Sequence, residues 1–333
     1  MKHVRFQPGG QEITCRDGET VLSAALREDL VFPYSCRKGN CGVCQARLIS
    51  GNITPSPASD EDMGAYPDTG EGILLCQAIP LSDLVIKAHE LEALAGIRVR
   101  TLSCRVQSLE PLTHNVTALT LGLTKGRGHL EFYAGQYVDL LLWDNRRRSY
   151  SIASAPQEAD VIEVHVHRIP GGRFSEQEFG TMKEQDLLAI IGPLGTFFLR
   201  DDPRPTILIA AGTGFAPISA MLEDLRKRGI QRRIQFYWGV VSRRDLYRHE
   251  QICTWEREMG IKFIPVLSAP DSDWDGRCGK VHEAVLADHS DLSDMQVYAS
   301  GLPEMIAAVR KSFPRHGLRA DALYCESFEC AVD

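Results

Sequence analysis

The chain opens with two runs of alternating apolar and polar positions, KHVRFQP and QEITCRD, either side of Gly9 and Gly10. A period of two about a glycine turn predicts a β-hairpin. A helix is expected over Val21 to Glu28, opened by Glu19 and Thr20, and then two further strands, QARLISG and DLVIKAH. Between those strands SPASDEDMGAYPDTGEG is polar and turn-rich. It is expected to form an irregular loop with one helical turn at ASDEDMGA, where a serine precedes acidic residues. The pattern then changes. LSCRVQSL, VTALTLGL, QYVDLLL, RSYSIAS, VIEVHVHRI and LLAIIGP are short strands at even spacing, interrupted by one helix, FSEQEFGTM; these predict a small antiparallel barrel. From TILIAAGTG onward strands and helices alternate: PISAMLEDLRKRG, IQFYWGV, LYRHEQICTWEREM, KFIPVLS, QVYASG and EMIAAVRKSF. Such alternation predicts a parallel sheet covered on both faces. The expected organisation is three domains, 1–92, 99–202 and 203–333, with ELEALAGIRV as a polar, flexible linker after the first.

Composition narrows the setting. The 333 residues carry a net charge of −7, which argues against nucleic acid as a partner. No N-terminal signal sequence and no apolar run approaching a membrane span is visible, so a cytoplasmic protein with reduced thiols is expected.

Four of the ten cysteines are ordered. Cys36, Cys41 and Cys44 lie in PYSCRKGNCGVCQARL and Cys76 in LLCQA, the C-x₄-C-x₂-C…C spacing of a plant-type [2Fe-2S] cluster. Each iron needs two thiolates, and a loop delivering three must wrap the cluster with its N–H groups turned toward sulfur. Gly39 and Gly42 suit such a loop. A disulfide pair or a zinc site is the plainer reading, but a zinc ribbon wants two C-x₂-C knuckles and this chain has one. Cys15, Cys104, Cys253, Cys278, Cys325 and Cys330 show no ligand spacing and are expected mostly to be small buried hydrophobes.

Arg148-Ser149-Tyr150-Ser151 ends a predicted barrel strand. Alone it is weak, since the triplet Arg146 to Arg148 reads equally as solvated charge. With GQYVDLLL before it and IASAP after it, the segment resembles the R-x-Y-S signature of the ferredoxin-NADP reductase superfamily. The first segment resembles the β-grasp ferredoxin fold. The resemblance implies that Arg148 neutralises the pyrophosphate of FAD, that Tyr150 packs on the isoalloxazine ring and that the Ser151 hydroxyl bonds near flavin N5. It implies further that Gly171, Gly172 and Ser175, at the start of FSEQEFGTM, lie on the flavin pyrophosphate, as a glycine-rich helix start would. GPLGTFF, Gly192 to Phe198, matches the turn that closes the family's barrel, and His167 stands where relatives often carry a basic residue.

Ala210 to Pro217, AAGTGFAP, runs from strand through glycine turn to helix. A glycine turn is often a mere βα connector, but this one resembles the family's G-T-G-x-x-P turn, which implies that Gly212, Thr213, Gly214 and Pro217 seat the nicotinamide dinucleotide. YASGLPEM resembles the family's C-G-P-x-x-M region with serine at 300 for cysteine and Leu302 inserted, so Ser300 is the residue expected beside nicotinamide C4. In LYCESFECAVD, Glu326 and Phe328 resemble the C-terminal pair at the flavin face. WGVVSRRDLY resembles a stretch of NADH-using relatives, although Ser242, Arg243 and Arg244 together also suit a 2′-phosphate. NADH is favoured.

Across its whole length the chain resembles NADH-dependent iron–sulfur flavoprotein reductases of multicomponent systems. These comprise the reductase components of ring dioxygenases and soluble monooxygenases, and the similar CDP-6-deoxy-3,4-glucoseen reductases that serve a sugar dehydrase. That implies an oxidoreductase passing electrons from NAD(P)H through FAD and a [2Fe-2S] cluster to a dehydrase or oxygenase. Tyr150, Ser151, Ser300 and Glu326 are the candidate catalytic residues. A stand-alone flavin or quinone reductase, a tightly bound electron-transfer subunit and a redox-sensing binding protein are the alternatives. An external acceptor is expected to meet the loop beside Cys41 and Cys44, where Arg37 and Lys38 favour an acidic surface.

Overall fold

The computed structural model describes residues 1–54, 71–124, 130–141, 146–158, 160–168 and 179–328. It divides into two compact units, Met1–Arg98 and Val99–Asp333.

In the first unit β1 (Lys2–Gln7) and β2 (Glu12–Cys15) form the expected hairpin. Val4 and Phe6 of β1 are fully buried while Arg5 and Gln7 face out, so the alternation in sequence sets the core face. The helix α1 (Val21–Arg27) starts at Thr20, whose hydroxyl accepts the Ser23 N–H at 3.2 Å. With that cap in place, Val21, Leu22, Ala24 and Ala25 are buried in the unit's core. β3 (Gln45–Ser50), β4 (Glu71–Leu74) and β5 (Leu84–Lys87) complete a sheet of order β2-β1-β5-β3-β4, in which β1 and β5 run parallel. This is a β-grasp. β4 takes up the end of the segment expected to be loop, because Gly72 and Ile73 pair with Arg47 and Ala46 on the free edge of β3. The helical turn expected at ASDEDMGA lies outside the described residues. The start of the linker is held to this unit: the Leu91 N–H donates to Val31 O at 2.7 Å, and Gln11 Nε2 donates to Glu90 at 2.6 Å. A 3-10 turn, Glu92–Leu94, follows.

The second unit holds two sheets. β6 (Arg100–Pro111), β7 (Val116–Leu123), β8 (Tyr137–Leu141), β9 (Arg147–Ser151), β10 (Val161–His167) and β11 (Leu187–Leu194) pair antiparallel in the order β10-β7-β6-β11-β8-β9. The bridge between Ile152 and Val164, with the Ala153 N–H on Glu163 O at 2.7 Å, closes this sheet into a barrel. Of the helix expected at FSEQEFGTM, the turn α2 (Phe179–Thr181) is described.

The second sheet is parallel: β12 (Thr206–Ala211), β13 (Ile234–Val240), β14 (Lys262–Leu267), β15 (Arg277–Cys278), β16 (Gln296–Gly301) and β17 (Leu323–Ser327), in the order β15-β14-β13-β12-β16-β17. α3 (Phe215–Lys227) and α4 (His249–Met259) bury their apolar residues with Leu208, Phe236 and Trp238, whereas α5 (Val281–Asp288) and α6 (Pro303–Ser312) do so with Ile207, Ile209 and Val266. Successive side chains of a strand point to opposite faces, so the two groups cover the two faces of the sheet. β15, β17 and α5 are additions to the elements expected from sequence.

Candidate functional site

The loop between α1 and β3 carries Cys36, Cys41 and Cys44, and the turn after β4 carries Cys76. Arg37, Gly39 and Gly42 have positive φ, at 58°, 90° and 65°, which the glycines adopt without steric cost. The curl directs N–H groups at sulfur. Those of Lys38 and Cys41 lie 3.4 Å from Cys36 Sγ, and that of Cys36 lies 3.5 Å from Cys41 Sγ. The thiols form two hydrogen-bonded pairs, Cys36 with Cys41 and Cys44 with Cys76. The bond within each pair holds Cys36 and Cys76 below the ordinary thiol value, while the same bond, and then burial, pushes Cys41 and Cys44 up. Among the described residues no three His, Cys, Asp or Glu side chains are grouped to hold a single metal ion. Two thiol pairs with amides aimed at sulfur instead fit a two-iron cluster, two thiolates to each iron. Cys41, Cys44 and Cys76 are buried and Cys36 is half-exposed. Between Cys36 and Cys41, Lys38 and Asn40 are the exposed residues of the loop.

On β9 the two-residue period places Arg148 and Tyr150 on one face. Both are half-buried, and burial pushes the Tyr150 phenol up against the opposing charge of Arg148. Ser149 donates to Asp139 at 2.7 Å. Ser151 is buried and pairs with Tyr137 of β8. The turn after β11 closes on this pair: a Cβ at Gly195 would lie 2.7 Å from the Tyr137 ring and 3.9 Å from Glu326 Oε2. Guanidinium, phenol and hydroxyl within four residues of one strand form a donor set that fits a flavin dinucleotide. Gly171, Gly172 and Ser175 lie outside the described residues.

β12 passes through a 3-10 turn, Gly212–Gly214, into α3. Gly214 packs so tightly on β16 that a Cβ would lie 2.1 Å from Ser300 O, and Trp238 Nε1 pins the turn by donating to Gly212 O at 2.9 Å. Gly212 is exposed, Thr213 half-buried and Pro217 buried. Ser300 is fully buried and its hydroxyl has no hydrogen-bond partner among the described residues. Such an omission costs about 1–3 kcal/mol. Glu326, also buried, pairs with Ser300 across β16 and β17, and the half-buried Phe328 continues that ladder by donating to Gly301 O at 2.8 Å. Leu302, which stands at the motif's proline position because Ser300 and Met305 keep its spacing of five, sits exposed at the cap of α6. These residues occupy the carboxyl ends of β12, β16 and β17, where the strand order reverses and dinucleotide sites form. Through Tyr137 and Gly195 they adjoin the end of β9, so that Ser151, Glu326 and Ser300 lie in one neighbourhood.

Three family models match the chain in tandem: a 2Fe-2S iron-sulfur cluster binding domain over residues 4–81, an oxidoreductase FAD-binding domain over 103–199 and an oxidoreductase NAD-binding domain over 208–311. The chain is 37% identical to the CDP-6-deoxy-L-threo-D-glycero-4-hexulose-3-dehydrase reductase of Yersinia pestis, over 98% of each chain. It belongs to the iron–sulfur flavoprotein reductases. The reductase is also 36% identical to reductase component 1 of the terephthalate 1,2-dioxygenase of Comamonas, over 94% of this chain and 93% of that one. Its structure is similar to the crystal structure of an Amycolatopsis cytochrome P450 reductase, with a TM-score of 0.80 at 30% identity, over 98% of this chain and 99% of the other. As a member of this family it is an NAD(P)H-dependent oxidoreductase that passes electrons through FAD and a [2Fe-2S] cluster to a partner enzyme.

In the reductase Ser242 and Arg243, after β13, are engaged in local contacts, and Arg244 is exposed. The Ser242 hydroxyl and N–H both donate to Asp245, at 2.8 and 2.9 Å. Arg243 lies 3.6 Å from Asp273 and over the Trp274 ring. His167 bonds Asn115 at 3.0 Å. Of the remaining cysteines Cys15, Cys104 and Cys325 are buried, Cys253 is half-buried and Cys278 is exposed, so burial holds for three; Cys330 lies outside the described residues. No helix among the described residues is long and apolar enough to cross a membrane. Tyr137 was legible only as part of a strand; its place beside Ser151 and Gly195 emerges from register.

Proposed function

We propose that this reductase oxidises NADH where the barrel meets the parallel sheet and delivers electrons singly to a cytoplasmic partner, a dehydrase acting on a nucleotide-linked deoxyhexulose. The modules are 1–92 for the cluster, 99–202 for FAD and 203–333 for the coenzyme. The observation that carries the hydride-transfer reading is the buried Ser300 hydroxyl, without a partner among the described residues and set between the glycine turn and Glu326. Bound FAD supplies the conversion between two-electron hydride chemistry and the one-electron chemistry of the cluster.

The protein's own groups bind and orient. Arg148 neutralises pyrophosphate charge, Tyr150 offers an aromatic face to the flavin ring, and Ser151 offers it a hydroxyl. Gly171, Gly172 and Ser175 add phosphate contacts. Gly212, Thr213 and Gly214, with the first turn of α3 and Pro217, receive the coenzyme pyrophosphate, and Ser300 orients the nicotinamide. Glu326 and Phe328 line the flavin side of that gap. Cys36, Cys41, Cys44 and Cys76 hold the cluster. NADH is favoured because Asp245 already engages Ser242 and adds negative charge where NADPH carries a 2′-phosphate.

The dehydrase reading rests on the match to the Yersinia pestis protein along nearly all of both chains. A ring-dioxygenase partner is the second reading, favoured by the comparable identity to the Comamonas reductase. Reconstitution separates them. With NADH and the pure reductase, a sugar dehydrase should turn over on its CDP-linked substrate and a terephthalate-type oxygenase should not; the reverse result selects the second reading. Cys76→Ser should abolish this coupled turnover while NADH–ferricyanide activity persists. Undiminished coupling would overturn the four-cysteine assignment.

A further inference from the structure

The reactions at flavin and coenzyme need a fixed angle between barrel and parallel sheet, and one buried contact is built to fix it. His165 lies in the middle of β10, and its side chain is 1% exposed. One ring nitrogen, Nδ1, is 3.1 Å from the Tyr247 hydroxyl, and Nε2 is 3.0 Å from Glu163 Oε1. The Glu163 carboxylate only accepts, so Nε2 carries a hydrogen directed at it, and Nδ1 is the atom left to bond the Tyr247 hydroxyl. Tyr247 stands just before α4 in the parallel-sheet module. The His165 ring also stacks on Phe215, at 6.0 Å between centroids and 8° between planes. Phe215 is the first residue after the Gly212–Gly214 turn and stacks in turn on Trp238, the residue that pins that turn. Arg248, next to Tyr247, bonds Glu163 at 3.1 Å and Glu110 of β6 at 3.0 Å.

We infer that His165 and Tyr247 are positioning residues for hydride transfer. The two-atom link ties the flavin barrel to the underside of the coenzyme turn and sets the distance from nicotinamide to flavin. The pair lies beneath the turn, buried among aromatic rings, and touches neither expected ligand. Its effect is on the geometry of the reacting pair, with little on the affinity of either ligand, because a small displacement at the reacting centre costs rate steeply. The inference rests on the reading of the Gly212–Gly214 turn as the coenzyme seat and of the barrel as the flavin seat.

The test uses the full holoprotein, anaerobic stopped-flow reduction by NADH, and rates per bound flavin. Tyr247→Phe removes one hydroxyl, and His165→Leu removes both bonds. Each should slow the limiting rate of flavin reduction at least tenfold while changing the apparent Kd for NADH less than twofold. The double variant should be no slower than the slower single one. His165→Asn, whose amide oxygen can stand near the Nδ1 position, should recover most of the rate. Unchanged limiting rates in Tyr247→Phe and His165→Leu overturn the inference. So does a loss confined to flavin retention or thermal stability with the rate per flavin intact, which would leave the pair a merely structural contact. Failure of the underlying site reading would look different: Gly214→Val would then leave NADH affinity unaltered in an otherwise wild-type chain.

Discussion

Ser300 shows how a single side chain separates stability from activity. Its hydroxyl is fully buried with no partner among the described residues, so Ser300→Ala removes an unsatisfied group and relieves about 1–3 kcal/mol of desolvation penalty. Without coenzyme the variant should melt higher, by roughly 2–4 °C per kcal/mol for a unit of this size. Its limiting flavin-reduction rate should fall about tenfold, equivalent to ~1.4 kcal/mol of transition-state stabilisation. Ser300→Cys should keep the rate. Differential scanning fluorimetry with stopped-flow reduction checks both signs, and an alanine variant as fast as wild type would remove Ser300 from the site. Ser300 and the four cluster cysteines were legible because their chemistry is tied to a local motif. Position 300 stands out against a short pattern, and the cysteine spacing reflects how one loop wraps a cluster. His165 was not legible. Its partner is 82 residues away, and the only local sign is a histidine and a glutamate alternating within VIEVHVH, a strand that reads as half-solvated.

Elements were legible wherever their period was long enough to repeat. α5 covers eight residues, barely two turns, and β17 follows two short 3-10 turns with no alternation of its own; its register comes from lying beside β16. β4 is four residues at the end of a polar loop and is a strand because β3 offers it an edge. Tertiary pairing, not propensity, decides such segments. The contact of β10 with α4 has a pH signature. Burial opposes the charge on Glu163, but the hydrogen bond from His165 and the charges of His165 and Arg248 outweigh it and hold the carboxyl below its ordinary value. A folded pKa below the unfolded one means that the ionised form stabilises the fold. That contribution is complete above the ordinary glutamate value of about 4.3 and is lost as pH falls toward the lowered folded value. Glu163→Gln should therefore melt below wild type at pH 7, and the gap should narrow as pH drops below about 4. A gap that is constant with pH would mean that the carboxylate charge contributes nothing.

At the scale of the whole molecule the question is where electrons leave. The first unit surrounds its four thiols unevenly: Cys41, Cys44 and Cys76 are buried, Cys36 is half-exposed, and Lys38 two residues on is exposed. An acceptor approaching over the exposed stretch between Cys36 and Cys41 would meet the Lys38 ammonium. Rim charges act mainly on association rate, and the effect is screened once the Debye length, about 8 Å at physiological salt, shrinks further. The chain as a whole is acidic, at −7, so a local cation here marks an approach route against the general field. Lys38→Glu should raise the KM for an acidic partner enzyme several-fold at low ionic strength, with kcat and the cluster spectrum unchanged, and the difference should vanish near 0.5 M salt, where the Debye length is about 4 Å. Steady-state reduction of the reconstituted partner across a salt series measures this. Equal KM values for wild type and Lys38→Glu at low salt, with the cluster intact, would place the exit surface elsewhere on the unit.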